Sequence, residues 1–271
     1  MSKQHHIQCA PGDVGRYVLL PGDPGRCERI AEHFDNAALV AQNREYTTYT
    51  GTLLDEKVTV TSTGIGGPST AIAVEELAAI GADTFIRVGT SGGMQPYTRL
   101  GDLVIASAAV RDEGTSSHYM PLEFPAVADP DVVWALRKAA QRTGAHAHVG
   151  IVHSKDSFYG EVQPGRMPVA KRLLERWEAW VKGGVLCSEM EAATLFVVSS
   201  VLGKRASGLM LVAGLTSHED VPEESPSAEV SAPPDLHLLI ATAVEALRIL
   251  ILWDRGDLQR SPCEALPRPD S

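Results

Sequence analysis

Three short apolar runs each give way to a glycine-rich segment: Leu20 to Arg26 (LPGDPGR), Ser62 to Ser69 (STGIGGPS) and Arg87 to Gly93 (RVGTSGG). An apolar run closed by glycines marks a buried strand whose tip turns tightly. Three of them in one chain point to an α/β sheet whose strand ends converge on a ligand. Glycine lets backbone N–H groups approach an oxyanion with no Cβ in the way. Arg26 and Arg87 sit beside those glycines and add forked donors that match a phosphate. An anion site, most simply for phosphate, is therefore expected.

The rest of the chain alternates in the same manner. Buried strands are expected at 18–20, 58–62, 84–88, 103–109 and 209–213, and helices at 69–80, 130–142, 188–202 and 236–253. Gly81 and Gly144 are natural helix stops. This is the βαβ grammar of a mixed or largely parallel sheet covered by helices on both faces. Residues 217–234 (SHEDVPEESPSAEVSAPP) are acidic and rich in Pro and Ser, so they read as a loop beside the last strand, either a solvated linker or an active-site lid. Residues 1–253 are expected to form one domain, and 254–271, with Pro262, Pro267 and Pro269, a poorly ordered tail.

Composition narrows the class. With 271 residues, 44% of them hydrophobic, the chain can bury one sizeable core. A formal net charge of -10 argues against a general partner in nucleic acid or an acidic membrane, so positive charge must be local. Cys9, Cys27, Cys187 and Cys263 show no paired spacing and read as reduced thiols of a cytoplasmic protein. Residues 236–253 are interrupted by His237, Glu245 and Arg248, which makes them a buried helix and not a membrane span. His146 and His148 share one face of an expected strand, but the sequence shows no further ligand near them, and a catalytic metal is not expected.

Four stretches together carry a resemblance: Leu20 to Arg26, Ser62 to Leu77 (STGIGGPSTAIAVEEL), Pro121 to Asp129 (PLEFPAVAD) and Ser188 to Thr194 (SEMEAAT). Over residues 6–250 the chain resembles the nucleoside phosphorylase family, in particular its bacterial pyrimidine-cleaving branch. The resemblance implies a three-layer α/β single domain with a central mixed, distorted β-sheet flanked by helices, assembled as a hexamer built from dimers. It implies a pentosyltransferase that cleaves the N-glycosidic bond of uridine, or of a closely related pyrimidine nucleoside, with inorganic phosphate as co-substrate and no required cofactor. Such a reaction develops positive charge on the sugar and negative charge on the departing base, so the site must serve both signs.

Residue by residue, the resemblance implies phosphate binding by Gly22, Arg26, Arg87 and Thr90 of one subunit, with Arg44 reaching in from a neighbour. It implies that Glu191 holds the ribose hydroxyls, with Met190 against the sugar, Thr90 and Glu189 in support, and the neighbour's His6 at the 5′-hydroxyl. Gly92 and Phe158 would face the base, and Gln163 and Arg166 would read its polar edge, with Glu161 a rival to Gln163. Arg87, Arg166 and Glu191 are the residues expected to act in catalysis. Glu45, Ile65 and Ser69 match a structural potassium site, whose oxygen-only donors suit a hard cation.

Two departures stand out. The segment from Phe158 to Arg166 is longer than in the enterobacterial relatives, and Leu215-Thr216 stands where those relatives carry an Asn-Arg pair. The acid that protonates a purine in other relatives is also absent at its place, where Thr216-Ser217-His218 stands, with His218 or Asp220 as substitutes. A purine nucleoside phosphorylase, a nucleoside hydrolase and a non-catalytic nucleoside-binding protein are the alternatives.

Overall fold

In the computed structural model, which describes residues 3–216 and 235–258, the first half runs through β1 (Tyr17–Leu20), α1 (Gly25–Ala31), β2 (Asp35–Asn43), β3 (Tyr46–Leu53), β4 (Glu56–Thr61), α2 (Gly67–Ala79) and β5 (Thr84–Gly93). The second half holds β6 (Leu103–Asp112), β7 (Ala126–Val127), α3 (Pro130–Thr143), β8 (Ala147–Lys155), α4 (Phe158–Val162), α5 (Ala170–Lys182), β9 (Cys187–Glu189), α6 (Ala192–Val201), β10 (Arg205–Leu215) and α7 (His237–Asp254).

Period-two alternation in the central strands feeds two cores. Tyr17, Leu19, Ile86, Val88 and Ile105 pack with Leu136 of α3 and Leu247 of α7, while Val18, Leu20, Phe85 and Val104 pack with Leu77 of α2 and Phe196 of α6. A sheet apolar on both faces must be covered on both, which gives the three layers. Helix α3 shows how locally the boundaries are written. The Asp129 carboxylate accepts from the N–H groups of Asp131 and Val132, Pro130 opens the helix, and Gly144 ends it at φ 73°.

The sheet is mixed and closes partly on itself. Strand β5 runs parallel to β10, β10 antiparallel to β6, β6 parallel to β8, β8 parallel to β9, and β9 antiparallel to β5, so five strands form a ring. From β5 an arm of β1, β4, β3 and β2 extends outward. One edge of β5 follows β10 along its whole length. The other edge pairs β1 at Thr84 to Arg87 and β9 only at Gly92 and Gly93. A crevice opens between those two partners, at the kind of switch point where α/β sheets bind ligands.

Several sequence expectations are corrected. Residues 87–93 are not a turn but the second half of β5, because the glycines let neighbours press close: a Cβ on Gly93 would stand 2.7 Å from Thr98 Oγ1 and 3.0 Å from Leu215 Cδ2. The helix expected over 188–202 starts only at Ala192, since Ser188 and Glu189 pair with Gly92 of β5 and with β8. Helix α7 runs on to Asp254, whose carboxylate accepts from Tyr17 (2.7 Å) and Arg205 (3.0 Å), so the chain stays docked past the expected start of the tail. Residues 217–234 and 259–271, with His218, Asp220 and Cys263, lie outside the described residues. Cys9, Cys27 and Cys187 are free and buried, and burial pushes Cys27 and Cys187 up to about 12. Among the described residues no helix is long and apolar enough to cross a membrane.

Candidate functional site

The three glycine segments meet at the crevice. The Thr63 N–H donates to the Pro21 carbonyl at 2.9 Å, and a Cβ on Gly22 would lie 3.0 Å from the Gly64 carbonyl, so the first two segments run side by side. Arg26, at the start of α1, donates through Nη1 to the carbonyl of Val88 (2.8 Å), at the stretch of β5 that neither β1 nor β9 covers. Its buried Nε has no hydrogen-bond partner among the described residues. Burial, and then the charge of Arg87, lower the Arg26 pKa. A buried guanidinium with an idle donor is a place for an anion.

Arg87 is committed differently from the sequence expectation of a simple phosphate clamp. Its Nε lies 2.7 Å from Glu189 Oε2, and its Nη2 pairs with Glu191. All three side chains are buried, and Gly89 makes room, since a Cβ there would stand 2.8 Å from Arg87 Nη2. Burial works against the Arg87 charge, but Glu191 and Glu189 outweigh it and raise the pKa. Glu189 is spent on structure: its carboxylate also accepts from the N–H groups of Glu191 and Ala192 and from Ser154, capping α6. Glu191 accepts from the Gly66 N–H at 2.6 Å, which ties the second glycine segment to it. Burial raises the Glu191 pKa, Arg87 opposes this, and Glu189 adds to it. Thr90 stands three residues further along β5, opposite Leu211 in β10, and Met190 is half-buried beside Glu191.

The base-side residues lie on the segment that follows β8. Phe158 is exposed and stacks edge-on against Tyr159, whose ring also carries the guanidinium of Arg166 at 4.9 Å. Gly92 touches Thr216, because a Cβ there would stand 2.9 Å from its Oγ1. Gln163 is half-buried. Glu161, its rival, points inward instead: Lys155 Nζ lies 2.9 Å from its Oε1, Ser188 donates to it, and His153 Nδ1 is 3.4 Å away. His153 Nε2 in turn meets Asp112 at 3.0 Å, and Asp112 meets Arg176 at 2.6 Å. Sequence reasoning missed Lys155, His153 and Ser188 as members of one network. Lys155 ends the strand β8, and a cation at the tip of an apolar strand is the signal that was available.

His6 and Arg44 stand apart from this cluster in their contacts. The His6 ring meets Glu76 at 2.6 Å, its backbone N–H donates to the same carboxylate, and Asn43 donates to its carbonyl at 2.7 Å. Arg44 follows Asn43 in the β2–β3 turn at φ 53° and is exposed. The two residues thus share one edge of the molecule. Glu45, Ile65 and Ser69 gather round Gly64: Ser69 Oγ donates to the Ile65 carbonyl at 3.3 Å, and a Cβ on Gly64 would meet both Glu45 and Ser69.

The model of the phosphorylase superfamily matches residues 16–244. The chain belongs to that superfamily. It is 49% identical over 251 residues to the uridine phosphorylase of Treponema pallidum, covering 93% of this chain and 95% of that protein. It is 48% identical over 256 residues to the uridine phosphorylase of Thermococcus kodakarensis, covering 93% and 88%. The guanosine phosphorylase of Halorubrum lacusprofundi is 41% identical over 231 residues, covering 83% and 91%. Within this superfamily member, the sheet crevice that the glycine segments enclose is the candidate site.

The Glu161 network has a measurable pH signature. Burial favours the neutral acid, but the hydrogen bond from His153, the Lys155 charge and the Ser188 hydroxyl outweigh it and hold the carboxyl below its usual range. A carboxyl depressed in the folded state adds stability that is full above its unfolded pKa and is lost as pH falls through the folded value. Glu161→Gln is therefore expected to cost about 2 kcal/mol at neutral pH and progressively less as pH is lowered through and below the ordinary carboxylate range. Denaturant titrations of both proteins across that range check it, and a cost independent of pH would refute the ionised assignment.

Proposed function

We propose that this chain catalyses the reversible phosphorolysis of uridine, giving uracil and ribose 1-phosphate. The observation that carries the reading is near-half identity, over almost the whole chain, to two proteins named as uridine phosphorylases. The idle Nε of Arg26 and the shared guanidinium of Arg87 support it.

Phosphate enters beside Gly22, Arg26, Arg87 and Thr90 of one subunit, and the partner subunit's Arg44 completes the shell. Ribose hydroxyls donate to Glu191, Met190 packs on the sugar, and the partner subunit's His6 meets the 5′-hydroxyl. Uracil lies between Gly92 and Phe158, with Gln163 and Arg166 at its polar edge. A phosphate oxygen forms the new bond to C1′ as the N-glycosidic bond breaks, and the bonding pair leaves with uracil N1, which then takes a proton from water. Phosphate needs no activating base, so positioning and charge supply the acceleration. Arg87 couples the two halves of the site, since the carboxylates that define the sugar side also fix its orientation. The oxygen donors of Glu45, Ile65 and Ser69 suit potassium, which would tie subunits together. Assembly in the cytoplasm as a hexamer built from dimers belongs to the same reading, as does the absence of any role for nucleic acid or membrane.

A second reading, cleavage of guanosine or another purine nucleoside, is favoured by the similarity to a guanosine phosphorylase. A panel of uridine, thymidine, inosine and guanosine, each with and without phosphate and with product analysis, separates the readings. Uridine is expected to turn over about 100-fold faster than guanosine, and only with phosphate. Faster guanosine cleavage would establish the purine reading, turnover without phosphate a hydrolase, and saturable binding without turnover a binding protein.

A further inference from the structure

We propose that Asp102, His146 and His148 form a binding site for one divalent transition-metal ion of the zinc class, separate from the residues assigned to phosphate and nucleoside. The sequence alone shows two histidines without a third ligand; the pairing of β6 with β8 supplies it. Leu103 is opposite Ala147 and Val104 opposite His148, which sets Asp102, just before β6, against His146, just before β8. His146 and His148, two positions apart, project from the same side of the strand.

One carboxylate serves both rings. Asp102 Oδ1 lies 2.9 Å from His146 Nδ1 and Oδ2 lies 2.9 Å from His148 Nε2, and the three ligand atoms lie within 4.8 Å of one another. Zinc bonds of about 2.0–2.2 Å to nitrogen and oxygen place tetrahedral ligand atoms about 3.3 Å apart, so small side-chain movements admit the ion. Two imidazoles and one carboxylate favour zinc, nickel or cobalt over the hard cations magnesium and potassium.

The supports of the carboxylate are already in place. The Arg99 N–H donates to Asp102 Oδ2 at 3.0 Å, and the Asp102 backbone is held on both sides by Val212: Val212 N–H to the Asp102 carbonyl at 2.9 Å and Gly101 N–H to the Val212 carbonyl at 3.0 Å. His146 is 72% exposed in its side chain, so the ion has an entry path and a water can fill the fourth position. The bound ion would clamp the connection between β5 and β6 to the start of β8.

The test is titration of the metal-stripped full-length protein with zinc chloride by calorimetry, followed by thermal unfolding with and without zinc. About one ion per chain with a dissociation constant in the micromolar range or below is expected, with a rise in Tm of several degrees at saturation. His146→Gln, at an exposed position, is expected to weaken binding by at least tenfold while folding normally, and Asp102→Asn and His148→Gln to abolish it. Cobalt substitution is expected to give the visible absorption of a four-coordinate ion in the wild type and not in the variants. No stoichiometric binding by the wild type would overturn the proposal, as would binding unchanged in His146→Gln and His148→Gln, which would place the ion elsewhere.

Discussion

Replacing Arg87 by alanine is expected to lower kcat/KM for uridine phosphorolysis by about 1,000-fold or more and to raise the phosphate KM. A loss of that size corresponds to about 4 kcal/mol of transition-state stabilisation, a reasonable figure for a cation that faces the phosphate while fixing the carboxylates beside the sugar. The same change strands Glu189 and Glu191 in a buried site, with Glu191 bonded only to backbone N–H groups such as that of Gly66. Breaking a buried pair by removing one partner costs about 3–5 kcal/mol of stability, so unfolding must be measured alongside the kinetics. Arg87→Lys separates the two effects. It keeps the charge but not the fork that reaches both carboxylates, so it is expected to recover part of the stability and little of kcat. Steady-state kinetics varying both substrates, on protein shown to be folded, decide the matter, and a phosphate KM and kcat like those of the wild type would refute the assignment.

Two inactive variants are expected to regain activity when they share an assembly. If each site takes Arg26 from one subunit and Arg44 from its partner, Arg26→Ala and Arg44→Ala homodimers are both impaired at every site. In a mixed dimer one site receives both arginines and the other neither. Random pairing makes half the dimers mixed, so activity approaches about a quarter of the wild-type value. The location of His6 and Arg44 on one edge, linked through Asn43, gives the idea its structural basis. Co-expression of the two variants and assay of the unfractionated assemblies provide the measurement. Recovery no greater than the sum of the separate variants would show that Arg44 serves no neighbouring site.

The central layers were legible because the strands that build them are buried on both faces. Tyr17 to Leu20 reads as an unbroken apolar run for that reason, and Phe85 to Val88 as one interrupted only by Arg87. The hairpin β2–β3 was not legible, since β2 is an edge strand whose residues are mostly exposed and carry no apolar alternation. Helix α5 escaped notice for a related reason: among its residues only Trp177 is buried. In the site, the glycine segments with Arg26 and Arg87 announced themselves locally, and the similarity to a family added Glu191 and the base-side positions. What no local pattern contained was partnership across the sheet. Arg87 meets Glu189 and Glu191 about a hundred residues later, Lys155 meets Ser188, and Asp102 meets His146 and His148 only through strand register. The extended state of 87–93 was hidden because glycines that permit close approach look the same in sequence as glycines that permit a turn.

The ring of five strands also fixes the order in which the molecule can be built. Strand β10 pairs directly with both β5 and β6, and its Arg205 finds Thr84 roughly 120 residues back along the chain, a contact of high order that slows folding. As the chain leaves the ribosome, β1 to β5 can pair among themselves, but the long edge of β5 from Thr84 to Gly93 stays open until β10 emerges. An open strand edge of ten residues, with its backbone N–H and C=O groups unpaired, invites pairing with another nascent chain, so this edge is a segment in need of chaperone protection. The crevice lies on the opposite edge of β5, between β1 and β9, and takes its second wall from residues 187–189 shortly before β10 emerges. A chain halted before β10 therefore holds both crevice walls and, on the other edge of the same strand, an aggregation hazard that the finished protein has sealed.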